Sequence, residues 1–561
     1  MAATSRRRFV ASISALGVSA PFANSLWAQA QQAPASRVTV AMVREAAQIA
    51  GLTLTDAEQQ GMLASLNRIL TRAEDLHKSP PENDAPSPFL FNPRVPGVPV
   101  VVPARVHRLS TTPARPRPSS REDLAFASVL QLSDFIKRRV VSSVELTELY
   151  LERLERHNPA LNCVVNLTRD RALSEARAAD KALAAGRWLG VLHGIPYGVK
   201  DIIAAKGAPT TWGARPFESR VIDDDAEVVK RLAAAGAVLV AKLSTGEFAF
   251  GDQWFRGRTN SPWNPAEGSS GSSAGSGAAT AAGLVAFAIG SDTGGSILSP
   301  AVRCGVVGLR PTFGRVSRRG VMAAGWTLDK IGPICRTVED CAAVMRVIAG
   351  ADGYDLSVTS DVPFAWDTRE SAKGRVVGVV AGMLERESDA AVRANNTRAV
   401  EALKAAGMTV RTIEPPTSDL SYFIEYTERA AGFEAFVKSG LDAGLVSQRV
   451  RNDLRAYHLV TAVDYLQANR ERLRLMSLYA SATRDVDVVI GGAVTLDPTS
   501  LNPITSLTGH PCVAVPTGVR ANGTPTGFTL GGRLYDEAGL LVAARVIERA
   551  TGLGGRRPSL G

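Results

Sequence analysis

The sequence predicts an α/β protein built around one large, mixed or mostly parallel sheet. Three observations lead there. From residue 119 onward, amphipathic helical stretches alternate with short apolar runs, the pattern of helices laid over a sheet. Glycine is abundant at 50 residues while aromatics make up 6%, a composition of many tight turns rather than of a fibrous or disordered chain. At 561 residues the chain is long enough for two to four domains, or for one large α/β domain with additions.

In chain order, "SRRRFVASISALGVSAPFANSLWAQA" has a basic start at Arg6, Arg7 and Arg8, a moderately apolar run, and a small-x-small end at Ala28-Gln29-Ala30. This is an export signal over residues 1–30, not a transmembrane helix. Its Ser-Arg-Arg-x-Phe start is similar to the twin-arginine type, which implies a periplasmic or secreted bacterial protein. No other apolar run is long enough to span a bilayer, so no stable membrane anchor is expected. Residues 31–82 read as a helical region. "VTVAMVREAAQIAGL" has helical spacing, and Thr55 with Glu58 forms a capping box. Residues 83–118 are rich in proline and read as an extended linker.

The main domain is expected over residues 119–555. Ser142 and Glu145 make a second capping box, opening a helix with Leu146, Leu149, Tyr150 and Leu154 on one face. "DAEVVKRLAAAGAVLVAKLS" predicts a helix ended by Gly236 and then a buried strand, Val238–Leu243. The last residues, 556–561, are expected to be a disordered tail.

Composition also excludes several functions. The net charge is +10, but no Lys/Arg stripe with interleaved aromatics marks a nucleic-acid surface. Five cysteines stand far apart without a C-x-x-C pair, and six histidines are dispersed without H-E-x-x-H. No metal and no cofactor is expected.

The chemistry is concentrated in two runs of small residues, "GSSGSSAGSG" at 268–277 and "GSDTGGS" at 290–296. Cleaving an amide needs a nucleophile, a base and donors for the developing oxyanion. Ser296 suits the nucleophile, and Gly-rich backbone before it suits the donors. Gly271-Ser272 is a turn that can direct a second hydroxyl toward Ser296. The candidate base is Lys200 in "GVLHGIPYGVKDI", which follows an apolar, strand-like stretch. Burial without a counter-charge makes a lysine neutral and basic.

Together these segments resemble the amidase signature family over about residues 119–555. "GIPYGVKDI" is similar to its lysine motif, "GSSGSSAGSGAATAAG" to its glycine-serine signature and "GSDTGGSILSPAVRCGVVGLRPTFGRVSR" to its nucleophile segment. "TLDKIGPICRTVED" and the C-terminal "GHPCVAVPTG" follow in the family order. The resemblance implies a large mixed sheet covered by helices on both sides, with an N-terminal helical arm. It implies a hydrolase acting on a small-molecule amide through a serine acyl-enzyme. Lys200 is then the base, Ser272 the bridging serine after a cis peptide, and Ser296 the nucleophile. The family spacing from Ser272 to Ser296 is kept. The resemblance further implies oxyanion donors at Thr293, Gly294, Gly295 and Ser296 itself, and substrate-binding roles for Ala249 and Ser273. The chain departs from the family pattern at Ser270 and Ala274, where glycines are usual, and at Leu298, where arginine is common.

Three rival readings follow from the same residues. Gly271–Gly275 formally matches the G-x-S-x-G elbow of α/β-hydrolases, with His510 as base, but that motif needs a strand before it and "SPWNPAEGS" makes one improbable. The glutaminase component of an amidotransferase shares the family, although its Phe-Gly-x-Glu-x-Lys-Arg-Arg stretch is absent from residues 444–466. A non-catalytic binding protein on the same fold is opposed by the joint presence of Lys200, Ser272 and Ser296. Neither the identity of the amide nor the oligomeric state is legible.

Overall fold

The computed structural model describes residues 37–560 except 77, 79–82, 84, 86–88, 101, 103–105, 112–113, 493–497 and 553–555. The expected export signal, residues 1–30, lies outside the described residues. The chain divides into two units, Met1–Pro81 and Glu82–Gly561.

The described part of the first unit is a pair of helices, α1 (Val40–Ile49) and α2 (Asp56–Leu76). Thr39 caps α1 by accepting from the Met42 N–H. At the start of α2, the Thr55 N–H donates to Glu58 at 2.7 Å and the Glu58 N–H to Thr55 Oγ1 at 3.3 Å, a reciprocal box.

The second unit is organised by an eleven-stranded sheet. Its strands in chain order are β1 (Val164–Leu167), β2 (Pro196–Lys200), β3 (Val238–Leu243), β4 (Phe287–Asp292), β5 (Val307–Arg310), β6 (Lys330–Cys335), β7 (Val376–Val380), β8 (Thr409–Ile413), β9 (Val488–Gly491), β10 (Cys512–Val519) and β11 (Pro525–Gly532). Their spatial order is β8-β7-β9-β11-β10-β5-β6-β4-β2-β3-β1. The pairs β8/β7, β7/β9, β4/β2 and β2/β3 are parallel and the other neighbours are antiparallel. The sheet is therefore mixed and not mostly parallel.

Both faces are covered. Successive strand residues point to opposite sides, so Leu239 joins one apolar core while Val238 and Val240 join the other. Helix α3 (Ser143–Leu161) lies over β2 and β3, with Leu149 and Tyr150 in the first core and Leu151 and Leu154 in the second. Its N-cap is Ser142, which accepts from the Glu145 N–H at 3.0 Å, while the Glu145 carboxylate goes to Arg117. Helix α4 (Glu227–Ala234) leads through Gly236 into β3. Two short helices, α5 (Ala274–Ala281) and α6 (Leu298–Cys304), pack together in the second core.

Described residues of the proline-rich stretch are tied down at two places. His107 and Arg108 pair in parallel with Trp366 and Asp367, and Arg94 reaches Asp361 at 2.7 Å. The C-terminal tail departs from expectation. Pro558 is buried, Leu560 packs on the second core, and Arg557 pairs with Asp123 at 2.7 Å. Two apolar residues and one charge suffice to dock it.

Candidate active site

Lys200 is the last residue of β2, and Asp292 is the last residue of its parallel neighbour β4. Carboxyl ends of adjacent parallel strands are where open α/β sheets place ligands. The Lys200 side chain is fully buried, and its Nζ lies 2.7 Å from Ser272 Oγ and 2.8 Å from Ser291 Oγ. Burial pushes its pKa from 10.5 down to about 7, against an opposing pull from Asp292 and Asp329.

Ser272 is presented just ahead of α5 by a cis Gly271–Ser272 peptide, as the family resemblance implies. Glycine is required at 271, because a Cβ there would run into the Gly251 carbonyl oxygen. The Ser273 N–H donates to the Ser296 carbonyl at 3.0 Å, which ties the turn carrying Ser272 to the turn carrying Ser296.

That second turn is organised by Asp292. One carboxylate oxygen accepts from the Gly295 N–H at 2.8 Å and from Arg310 at 3.0 Å. The other accepts from Ile297 at 2.7 Å and Leu298 at 3.3 Å, capping α6. Burial works against the Asp292 charge, but Arg310, Lys330 and these N–H groups outweigh it and hold the carboxyl below its ordinary value. The rest of the turn is fastened as well. Thr293 Oγ1 donates to Asp329 at 2.6 Å, and the Asn502 amide, on helix Asn502–Thr508, donates to the Gly294 carbonyl.

This geometry revises two expectations. Gly295, at φ +116°, gives its N–H to Asp292, so it is not free to meet an oxyanion. Among the described residues, the Thr293, Gly294 and Ser296 N–H groups have no protein acceptor. Ser273 is also not open to substrate. It is fully buried, and its hydroxyl bonds the Ser291 carbonyl at 3.1 Å and the Ser291 N–H at 3.3 Å. Ala249, at φ +63°, sits in the Glu247–Ala249 turn just before Gly251, the residue packed on Gly271.

The G-x-S-x-G reading fails on placement. His510 is buried, bonds Thr508 Oγ1 at 2.8 Å and stacks edge-on to Tyr479, and burial pushes its pKa down to about 3. One expectation there needs correcting, because residues Asn264–Gly268 do form a strand. It is half of a small ribbon with Asn260–Ser261, outside the main sheet, so it cannot serve as the elbow strand. A short ribbon of this kind has room for Pro265, which lacks the N–H a sheet interior requires.

The sequence departures are accommodated locally. Ser270 takes φ +62°, a conformation costing a non-glycine residue about 1 kcal/mol or more, and its hydroxyl bond to Ser299 at 2.6 Å offsets this. Ala274 opens α5, where alanine is preferred to glycine. Leu298 is buried without a charge, and the guanidinium of this segment comes instead from Arg310. Reading the sequence also missed Ser291, Asp292, Asp329, Arg310 and Asn502. For the first two a signal existed, since Asp292 is the one charge in "GSDTGGS" and Ser291 precedes it.

Comparisons with known proteins agree with this geometry. The amidase family profile matches residues 145–541. The chain is 35% identical to a component of the glutamyl-tRNA(Gln) amidotransferase of Methylococcus capsulatus, over 77% of this chain and 98% of that protein. Among solved structures, the peptide amidase of Stenotrophomonas maltophilia superposes with a TM-score of 0.68 at 28% identity, covering 77% of this chain and 98% of that one. A 6-aminohexanoate cyclic dimer hydrolase superposes with a TM-score of 0.68 at 25% identity, covering 78% and 99%. With the sheet, the cis peptide and the buried lysine in place, the chain belongs to the amidase signature family and is an amide-hydrolysing enzyme.

Proposed function

We propose that Ser296 is the nucleophile, Ser272 the proton bridge and Lys200 the base of a serine acyl-enzyme amidase. The observation that carries this is the buried Lys200 amine in contact with Ser272 and Ser291, with its pKa lowered to about 7. A neutral amine has two N–H donors and one lone pair. It donates to Ser291 and accepts the Ser272 hydroxyl proton, since a 2.7 Å contact serves in either direction. Ser272 in turn takes the Ser296 proton as Ser296 adds to the carbonyl carbon. The oxyanion meets the free N–H groups of the 293–296 turn. The proton returns through Ser272 to the departing amine, and water cleaves the acyl-enzyme by the reverse route. A fluorophosphonate should label wild-type protein at Ser296 and leave Ser296→Ala unlabelled. A panel of amides should be hydrolysed by wild type and not by Ser296→Ala; a labelled Ser296→Ala protein would refute the assignment.

A glutaminase role within an amidotransferase is the second reading, favoured by the identity to the Methylococcus capsulatus protein. It predicts glutamine as the preferred member of that panel. We further infer export by the twin-arginine route from "SRRRF". Replacing Arg6 and Arg7 by lysine should shift the protein from the periplasmic to the cytoplasmic fraction, and an unchanged distribution would refute it.

A further inference from the structure

The first turns of α7 (Leu420–Gly432) face the turn that carries Ser296. Tyr422, Glu425, Tyr426 and Arg429 are spaced i, i+3, i+4, i+7 and share one side of the helix. A Cβ placed on Gly294 would lie 3.0 Å from Glu425 Oε2 and 3.6 Å from the Tyr422 ring. Gly294 is one of the residues whose N–H is unused, so the carboxylate is beside the point where a substrate carbonyl would be held.

Glu425 is only 6% exposed, and its two oxygens differ. Oε1 accepts from Nη2 of Arg429, a side chain whose Nη1 donates to the Phe248 carbonyl and whose guanidinium lies 3.8 Å over the Phe250 ring. Oε2 has no donor among the described residues. Oε2 is not itself fully enclosed, so a donor entering the site can reach it. Its surroundings select a cation. Burial pushes its carboxyl up to about 7; Arg429 and Lys330 pull against this, Asp329 and Asp292 add negative charge beside it, and the two Arg429 Nη atoms are taken by Oε1 and the Phe248 carbonyl, while the buried Arg429 Nε–H has no acceptor among the described residues. The half-buried rings of Tyr422 and Tyr426 flank it, and aromatic faces suit an ammonium.

We propose that Glu425 is a specificity-determining residue whose free Oε2 receives a protonated amine carried by the substrate close to the scissile carbonyl. The preferred substrates are then amides bearing a primary ammonium, of the amino-acid amide kind, rather than neutral alkyl or aryl amides. This rests on the amidase assignment for Ser296, but it is tested by binding and not by turnover.

Alaninamide and propanamide differ at the α-carbon by an ammonium against a hydrogen. Each is used to protect Ser296 from a fluorophosphonate and to raise the thermal midpoint of the wild-type protein and of Glu425→Gln. Wild type should be protected and stabilised by alaninamide at concentrations about tenfold or more below those needed for propanamide, the worth of one charge-assisted hydrogen bond. In Glu425→Gln that preference should vanish while labelling of Ser296 without ligand persists. Glu425→Asp, which withdraws the carboxylate by one carbon, should weaken the preference several-fold and serves if the glutamine variant does not fold. Equal effects of the two amides on wild type, or a preference that survives in Glu425→Gln, would overturn the proposal. Absence of labelling at Ser296 in wild type would instead overturn the nucleophile assignment, leaving the thermal midpoints to decide on Glu425.

Discussion

Lys200→Met is expected to reduce kcat/KM by a factor of about 10³ or more, within the range that a positioned general base contributes. Methionine fills nearly the same volume, so the loss reads the amine and not a cavity. The same residue sets a pH dependence in wild type. Its amine must be neutral to accept a proton, so kcat/KM should fall about tenfold per unit as pH drops below about 7. Stability carries an independent signature. In the unfolded chain this lysine titrates near its ordinary 10.5 and in the folded protein near 7. Between those values the unfolded state binds the extra proton, so folding stability rises with pH there, by up to about 1.4 kcal/mol per unit from this group. Urea midpoints measured from pH 7 to 10 should therefore rise more steeply for wild type than for Lys200→Met. Parallel curves would mean that the amine is charged and solvated in the fold, and the relay through Ser272 would have no base.

How much of this was legible in the sequence depends on how local the cause is. The strand Val238–Leu243 was readable because an uninterrupted apolar run after a helix-ending glycine has few other fates. Strand direction was not, because alternation of helix and strand leaves open whether neighbours run parallel. The antiparallel β10/β11 hairpin did carry a turn signal, Asn522-Gly523, with Gly523 at φ +80°. Lys200, Ser272 and Ser296 stood out since each lies in a short segment whose composition is unusual for a reason of its own. The helix with Tyr422, Glu425 and Arg429 did not. Its stripe reads as an ordinary amphipathic surface, and only the tertiary packing of residues some 130 positions apart brings Glu425 to Gly294. The docked tail was missed for a similar reason, since two apolar residues in "RRPSLG" give no periodicity.

Asp292→Ala is expected to destabilise the fold most among single substitutions at the site. Removing this carboxylate leaves the Gly295, Ile297 and Leu298 N–H groups without an acceptor and deprives Arg310 of its buried counter-charge. Breaking a buried ion pair from one side costs about 3–5 kcal/mol, mostly from the charge left behind. Arg310 keeps its bonds to Asn502, Ser506 and Thr505, so the lower part of that range is expected, read as a drop in the urea midpoint. Activity should fall further than stability explains, since the 293–296 turn loses the anchor that aims its free N–H groups; losing one oxyanion donor alone costs about 10²–10³ in kcat. Adding Arg310→Met to Asp292→Ala separates the two effects. The double variant should recover part of the stability, as the orphaned charge is gone, but none of the activity. The pH test has a fixed sign: Asp292 titrates below its ordinary value in the fold, so its contribution is complete above about pH 4 and disappears as pH falls through the folded pKa. Wild type should thus lose stability more steeply than Asp292→Ala on acidification below about pH 4. Recovery of turnover in the double variant would show that Asp292 only neutralises Arg310 and does not shape the nucleophile turn.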